Sequence, residues 1–279
     1  MAKDALKDPK LYINRELSWI EFNDRVLREG LNTELPLMER LKFLGIVSSN
    51  LDEFFLVRVA GLRRARDAGV RRRDPSGMTP AQQVSAIHAR VRRMIQEQSD
   101  GIINCLSGLR RHGLRLLDPH EWNEEHQRFL RGYFQKELQP VLTPLAVEEL
   151  RPAPVLPNLQ LHVAALLAAS GEDGAGGGKI VVVPVPTQFR RLVELPITVF
   201  LPKLFVERAV LASAVFRIAR DADVIISDDE SPDLLGTVEQ AVRSRRRRVA
   251  VRLTISAGVD GRILQFLAGW LKLRSEEVY

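Results

Sequence analysis

The sequence has a single cysteine and no long hydrophobic run, and both features limit what the protein can be. Cys105 cannot form a disulfide within the chain, so we expect a reducing compartment and interpret this residue as part of a core. The longest apolar run, Val163 to Ala169, is too short to span a bilayer, and the N-terminus lacks the apolar segment of a signal peptide. We therefore expect a cytoplasmic protein, with peripheral membrane attachment as a further option.

Aromatic residues and recognised catalytic motifs are also scarce. Aromatic side chains make up 6% of the 279 residues, which disfavours a surface for stacking nucleic-acid bases. There is neither a Gly-rich phosphate loop of the Walker type nor a G-x-S-x-G motif. The histidines lack the spacing of zinc ligands on one helix face, so we predict structural or surface roles for them and no metal site. They are His88, His112, His120, His126 and His162.

Arginine, in contrast, is abundant and clustered. The chain carries 41 Lys and Arg against 35 Asp and Glu, for a net charge of +6. Arginine binds phosphate through a planar fork of donors, so a polyanion is a plausible partner: nucleic acid, an anionic lipid surface or inorganic polyphosphate. The alternative is that the clusters are solvated helix faces. The clusters are Arg63 to Arg66, Arg71 to Arg73, Arg90 to Arg93, and Arg245 to Arg248.

Capping and periodicity signals predict an α-helical bundle in residues 1–112. Ser18 with Glu21 fits a capping box, and Thr79 followed by Pro80 is typical of a helix start. After Pro80 the helical pattern is long enough to build a bundle. The predicted helices run from Ser18 to Gly30, from Pro36 to about Gly45, from Ser49 or Asn50 to about Ala68, and from Pro80 to His112.

Residues 113–279 mix strand and helix patterns without regular βαβ alternation, which predicts an α+β domain. Apolar runs at 160–168 and 179–185, joined by a glycine-rich segment, are predicted to form a hairpin. Further strands are predicted at 114–117, 199–201, 215–218 and 249–255, and helices at 119–138, 202–211, 233–246 and 259–271. The predicted fold class is multi-domain, α and α+β: an N-terminal α-helical bundle followed by an α+β head domain.

The segment Glu39 to Phe55 contains the residue best suited to bind a ligand. We predict a helix break at Gly45 and a new helix start beside Asn50, where the amide would offer a donor and an acceptor to a purine edge or a phosphate. The alternative is structural, because Asn50 with Glu53 also fits a capping box. Ser49 with Asp52 fits nearly as well, and on these residues alone capping is favoured.

Several stretches resemble a known family. Tyr12 to Gly30, YINRELSWIEFNDRVLREG, and Pro36 to Leu62, PLMERLKFLGIVSSNLDEFFLVRVAGL, closely resemble the N-terminal domain of the histidine-phosphorylated polyphosphate kinases. Phe216 to Asp223, FRIARDAD, is similar to the head domain of that family. So are the acidic segment and arginine run that follow it, and Val251 to Leu253. The resemblance covers almost the whole chain.

This resemblance implies an enzyme that reversibly transfers the terminal phosphate of ATP to inorganic polyphosphate through a phosphohistidine. It implies a nucleotide contact at Asn50, the asparagine of the SNLDEF motif, and a position near the adenine for Phe43. It also implies a homo-oligomer, a dimer or tetramer, with dimer contacts in the head domain. The partners expected from the family are ATP, ADP and polyphosphate, and nucleic acid is not among them.

Family members continue into two C-terminal domains resembling phospholipase D, which carry the catalytic histidines and the Mg²⁺ ligands. No motif matching those domains occurs in this sequence, so we expect no catalytic residue, no metal ligand and no kinase activity in this chain alone. Two other functions stay open. The charge would suit a basic nucleic-acid-binding protein, and a non-catalytic regulatory module would follow if the reading frame ends at Tyr279.

Overall fold

The computed structural model describes residues 7–150, 152–169, 178–189, 193–222 and 249–279. The chain divides into two compact units, residues 1–116 with 221–225, and residues 117–220 with 226–279. The first unit is helical, and the second is built around an antiparallel sheet, so the predicted fold class is confirmed. The first unit ends at Leu116, whereas the sequence led us to expect a boundary after His112.

The described part of the first unit contains four α-helices. They are α1 (Arg15–Leu31), α2 (Leu37–Phe54), α3 (Ala60–Asp67) and α4 (Pro80–Arg110). A short 3₁₀ turn, Pro9–Leu11, precedes α1, and a π-helical turn, Phe55–Val59, joins α2 directly to α3. Helix α4 begins as predicted, because Thr79 and Gln82 form a reciprocal capping box and Pro80 occupies the first turn. The turn after this helix contains Gly113 with a φ of 81°, a left-handed conformation that glycine adopts without strain.

The N-cap of helix α1 is Asn14, four residues before Ser18, which the capping box predicted as the cap. The side chain of Asn14 accepts hydrogen bonds from the backbone N–H groups of Glu16 and Leu17, at 3.1 and 2.9 Å. Its amide also donates to Asp74 at 2.6 Å, which anchors the loop between α3 and α4. Because Asn14 already satisfies the orphan donors, Ser18 lies inside the first turn and its N–H bonds to the Asn14 carbonyl.

The predicted break between Gly45 and Asn50 is wrong. Helix α2 runs without interruption from Leu37 to Phe54. A glycine inside a helix costs only about 1 kcal/mol, and tertiary packing outweighs that cost here. The hydroxyl group of Ser49 donates to the Gly45 carbonyl one turn earlier, and the Ser48 hydroxyl accepts from Gln98 of α4. Both serines are thus accommodated inside a helix instead of starting one.

Glycines allow the helices of the bundle to approach closely. A methyl group at Gly30 would lie 2.7 Å from the Leu44 side chain, and one at Gly101 would lie 2.6 Å from Leu31. The core between these helices is apolar and includes Cys105, which is fully buried as expected. A Cβ atom at either position would force the facing leucine side chain to shift, so glycine allows α1, α2 and α4 to pack this closely.

The described residues of the second unit form a four-stranded antiparallel sheet in the order β2-β1-β3-β4. Its strands are β1 (Leu161–Leu167), β2 (Lys179–Pro184), β3 (Val210–Arg220) and β4 (Ala250–Ile255). Its described α-helices are α5 (Glu124–Tyr133), α6 (Glu194–Phe200) and α7 (Gly261–Leu271). A π-helical turn, Phe134–Leu138, follows α5, and 3₁₀ turns lie at Pro119–Glu121, Gln139–Val141, Leu201–Lys203 and Ser275–Glu277.

Both faces of this sheet are covered, which explains why its inner strands read as nearly continuous apolar runs. One face packs against α7 through a cluster that includes Ala164, Phe216 and Leu267. The opposite face packs against α6 and the turn after α5, through Val163, Phe134 and other apolar side chains. The predicted hairpin of β1 and β2 is confirmed, with Ala164 opposite Val182 in antiparallel register.

Other predictions for this unit need correction. Residues 114–117 form no strand, and the helix expected from Pro119 begins only after Asn123, whose side chain caps α5. Residues 199–201 belong to α6 and the 3₁₀ turn that follows, and β3 starts at Val210 inside the predicted helix 202–211. Short apolar runs fit helix and strand equally well by periodicity, which accounts for these errors. The helix predicted at 233–246 lies outside the described residues.

Candidate functional site

Asn50 and Phe43, the two predicted nucleotide contacts, lie on one side of α2. They are seven residues apart, which is two helical turns or about 10 Å along the axis. Both side chains are half-buried. Asn50 is therefore not at a helix N-terminus, and its chemistry comes from its own amide and from neighbouring side chains instead of from exposed backbone N–H groups.

The amide of Asn50 is held by a second asparagine across the helical hairpin. Its Nδ2 donates to Oδ1 of Asn23 in α1, at 2.9 Å. Asn23 is fully buried, and its own Nδ2 donates to the Val47 carbonyl at 3.3 Å. Among the described residues none donates to Oδ1 of Asn50, so this acceptor is available to a ligand.

One turn further along the hairpin, two aromatic rings stack. Trp19 of α1 and Phe54 of α2 have ring centroids 4.3 Å apart and planes inclined by only 2°. Each ring lies four residues from one of the paired asparagines, so the stack and the amide pair are adjacent contacts between the same two helices. Together they define the local alignment of α1 with α2.

The side of the hairpin around Asn50 carries partly exposed apolar side chains, next to the exposed carboxylate of Glu53 three residues further along α2. Phe22 is 55% exposed and lies three residues after Trp19 on α1, while Ile46 is 45% exposed and lies four residues before Asn50 on α2. Residues at these separations are neighbours on a helix surface. We call this region the hairpin surface. It consists of Trp19, Phe22, Phe43, Ile46 and Asn50. An apolar area with one oriented amide suits a flat heterocycle that has a polar edge.

A network of charges fixes α1 against α4. Arg90 of α4 pairs with Glu21 at 2.7 Å and with Asp24 at 2.8 Å, and Arg28 pairs with Asp24 and with Glu97 of α4. Partial burial by itself raises the pKa of Asp24, but the hydrogen bonds and charges of Arg90 and Arg28 outweigh it and hold that pKa below its ordinary value. The network supports the helix that carries Trp19 and Asn23.

The described residues contain no group of three or more His, Cys, Asp or Glu side chains placed to hold a metal ion. The Mg²⁺ ligands that the resemblance implies stay a prediction for the C-terminal domains of the family. The histidines are spread over the chain: His88 and His162 are buried in different units, while His112 and His120 are exposed. Within the described ranges, no helix combines the length and hydropathy that a membrane span requires.

Trp19 and Asn23 were not singled out from the sequence, although both lie inside the stretch that carries the resemblance. Their spacing of four residues places them on one helix face, as it does for Asn50 and Phe54. The sequence signal that could have identified this site is an aromatic residue and an asparagine four residues apart, which occurs once in α1 and once in α2. Recognising it requires knowing that α2 is continuous.

Comparisons with known proteins agree with this architecture. The model of the polyphosphate kinase N-terminal domain matches residues 12–117, and that of the polyphosphate kinase middle domain matches residues 125–279. The chain belongs to the polyphosphate kinase family. Asn50 and the hairpin surface lie in the range that matches the N-terminal domain of that family. The sheet lies in the range that matches its middle domain.

Individual relatives show how much of a family member is present. The chain is 38% identical to a polyphosphate kinase of Prosthecochloris aestuarii over 294 residues, covering 98% of the chain and 41% of that relative. It is 37% identical to one from Halalkalibacterium halodurans, with the same coverage. The crystal structure of polyphosphate kinase from Porphyromonas gingivalis matches the fold with a TM-score of 0.72 and 23% identity, over 96% of this chain and 38% of that one. The chain thus spans about two fifths of the length of these relatives.

Proposed function

We propose that this chain provides the adenine-nucleotide contact of a polyphosphate kinase, an enzyme that reversibly transfers the terminal phosphate of ATP to inorganic polyphosphate through a phosphohistidine. The family membership supports the reaction class, since the relatives are named polyphosphate kinases. The observation that carries the nucleotide contact is the half-buried amide of Asn50, which is oriented by one hydrogen bond and belongs to the same hairpin surface as the apolar side chains of Phe43 and Ile46. The predicted oligomeric scaffold and cellular location stay predictions.

Adenine fits this surface chemically. It presents an amino group beside a ring nitrogen that accepts a hydrogen bond, and an asparagine amide can pair with both. The exposed side chains of Phe22 and Ile46 and the half-buried ring of Phe43 offer area for the flat faces of the base. Phosphoryl transfer depends mainly on positioning and charge neutralisation, so a contact to the base would contribute by fixing the nucleotide.

Replacing Asn50 by alanine is expected to weaken ATP binding by about tenfold, because one hydrogen-bonded contact to a base contributes on the order of 1–1.5 kcal/mol. The measurement is a titration of the ¹⁵N-labelled 279-residue chain with ATP, followed by NMR. Asn104→Ala is the matched control, since Asn104 is an exposed asparagine of α4 outside the hairpin surface. Equal affinities of the Asn50→Ala variant and the unaltered chain would contradict the assignment.

The chain alone is expected to transfer no phosphate from ATP to polyphosphate. The phosphohistidine of the family is expected in its C-terminal domains, whereas the matched ranges of this chain correspond to the N-terminal and middle domains. The check is ADP release from ATP by the purified chain in the presence of polyphosphate and Mg²⁺. Phosphate transfer that disappears when one of the five histidines is replaced would overturn this expectation.

A further inference from the structure

Asn23 has a side-chain orientation that its surroundings determine. Its Nδ2 faces two acceptors, the Val47 carbonyl at 3.3 Å and the Met94 sulfur at 3.6 Å. Rotating the amide by half a turn would place its oxygen against both of these acceptors and lose both contacts. Asn23 is 0% exposed, so water cannot compensate for the loss. The oxygen of Asn23 must therefore face Asn50.

This orientation passes to Asn50. The oxygen of Asn23 can only accept a hydrogen bond, so Asn50 must turn its Nδ2 inward to donate, as it does at 2.9 Å. The Oδ1 of Asn50 is then the group left for a ligand, together with the second hydrogen on Nδ2. The Val47 carbonyl thus fixes the orientation of the Asn23 amide, and the Asn23 amide in turn fixes the orientation of the Asn50 amide on the hairpin surface.

We propose that Asn23 is a positioning residue that makes the site select a 6-aminopurine over a 6-oxopurine. This rests on the proposed nucleotide contact at Asn50 and goes beyond it by naming what sets the specificity. An outward Oδ1 accepts a hydrogen bond from the 6-amino group of adenine. A 6-oxo group in the same place brings two acceptor oxygens together, which costs the hydrogen bond and leaves both groups unpaired.

The test compares ATP with inosine triphosphate, which differs at the base by having a 6-oxo group and a proton on N1. We expect the unaltered 279-residue chain to bind ATP about tenfold more tightly than inosine triphosphate in NMR titrations. Asn23→Leu removes the acceptor that fixes Asn50 but keeps the branched shape and the number of side-chain heavy atoms. In that variant Asn50 can rotate, so the ratio of the two affinities should fall to within about twofold.

Asn23→Asp serves as the conservative variant. Burial favours a neutral carboxyl group, which can donate to the Val47 carbonyl and accept from Asn50 just as the amide does. It should therefore keep the preference for ATP, even if its melting temperature is lower. If the role of Asn23 is purely structural, Asn23→Leu should weaken the binding of both nucleotides equally and leave the ratio of their affinities unchanged.

The outcomes separate the inference from the function on which it rests. Absence of ATP binding by the unaltered chain overturns the proposed nucleotide contact itself. Equal binding of both nucleotides by the unaltered chain overturns the selectivity inference whatever the variants do, as does an unchanged ratio in Asn23→Leu. The inference is supported if the preference for ATP is lost in Asn23→Leu and kept in Asn23→Asp.

Discussion

Replacing Phe54 by alanine is expected to lower the free energy of unfolding of the first unit by about 3–5 kcal/mol, the cost of deleting a buried aromatic side chain and leaving a cavity. Phe54 is 2% exposed, stacks on Trp19 and meets the edge of Phe55 with ring centroids 6.2 Å apart. The measurement is urea unfolding followed through NMR signals of α2. Phe22→Ala is the control, because this phenylalanine is more than half exposed on the same hairpin.

The stack contributes beyond the area that it buries. A parallel aromatic pair is worth about 0.5–1.5 kcal/mol of coupling in a double-mutant cycle. The cycle combines Trp19→Ala with Phe54→Ala, and a coupling near zero would show that the rings only fill space. Because the amide pair lies one turn away, the Phe54→Ala variant should also disturb the side-chain NH₂ signals of Asn50. The same contacts thus stabilise the hairpin and position the proposed ligand group.

Features of the fold that depend on adjacent residues could be predicted from the sequence. Thr79 and Pro80 mark a helix start because the cap, its partner Gln82 and the proline act within one turn. The hairpin of β1 and β2 was predictable because two apolar runs of strand length flank a glycine-rich segment. The start of α1 was misplaced because Ser18 and Asn14 both fit local capping rules, and only Asn14 also bonds to Asp74, sixty residues away.

The candidate site was predictable only in part. The resemblance identified Asn50, but the local pattern of Gly45, Ser48 and Ser49 argued for a break that the packing of α2 overrides. The partner of Asn50 could not be predicted locally, since Asn23 lies 27 residues earlier and meets it only through the alignment of α1 with α2. A buried hydrogen bond between two helices is a tertiary property, and neither periodicity nor capping encodes it.

A second large effect is expected from His162 in the second unit. This side chain is 0% exposed in the central strand β1 and stacks on Phe216, with ring centroids 5.2 Å apart. Among the described residues none forms a hydrogen bond with either ring nitrogen. Burial lowers the pKa of His162 from 6.5 to about 4; the nearby Gln160 backbone partly opposes this shift, and the positive charge of Arg220 adds to it.

This shift makes the stability of the sheet sensitive to acid. The folded state keeps His162 neutral down to about pH 4, whereas the unfolded state protonates it near pH 6.5. Between these values the unfolded chain binds more protons, so the free energy of unfolding falls as the pH falls. The loss should reach about 3 kcal/mol by pH 4, since one pKa unit corresponds to about 1.4 kcal/mol.

His162→Leu should remove this part of the acid dependence, because leucine cannot take up a proton and fits an apolar position of similar volume. Urea unfolding at pH 7, 5.5 and 4, followed through NMR signals of Ala164 and Ala165 in β1, measures the effect. His112→Leu, at an exposed position outside the sheet, should keep the dependence of the unaltered chain. If both variants lose stability in acid as steeply as the unaltered chain, then carboxyl groups and not the buried imidazole determine the acid response of this unit.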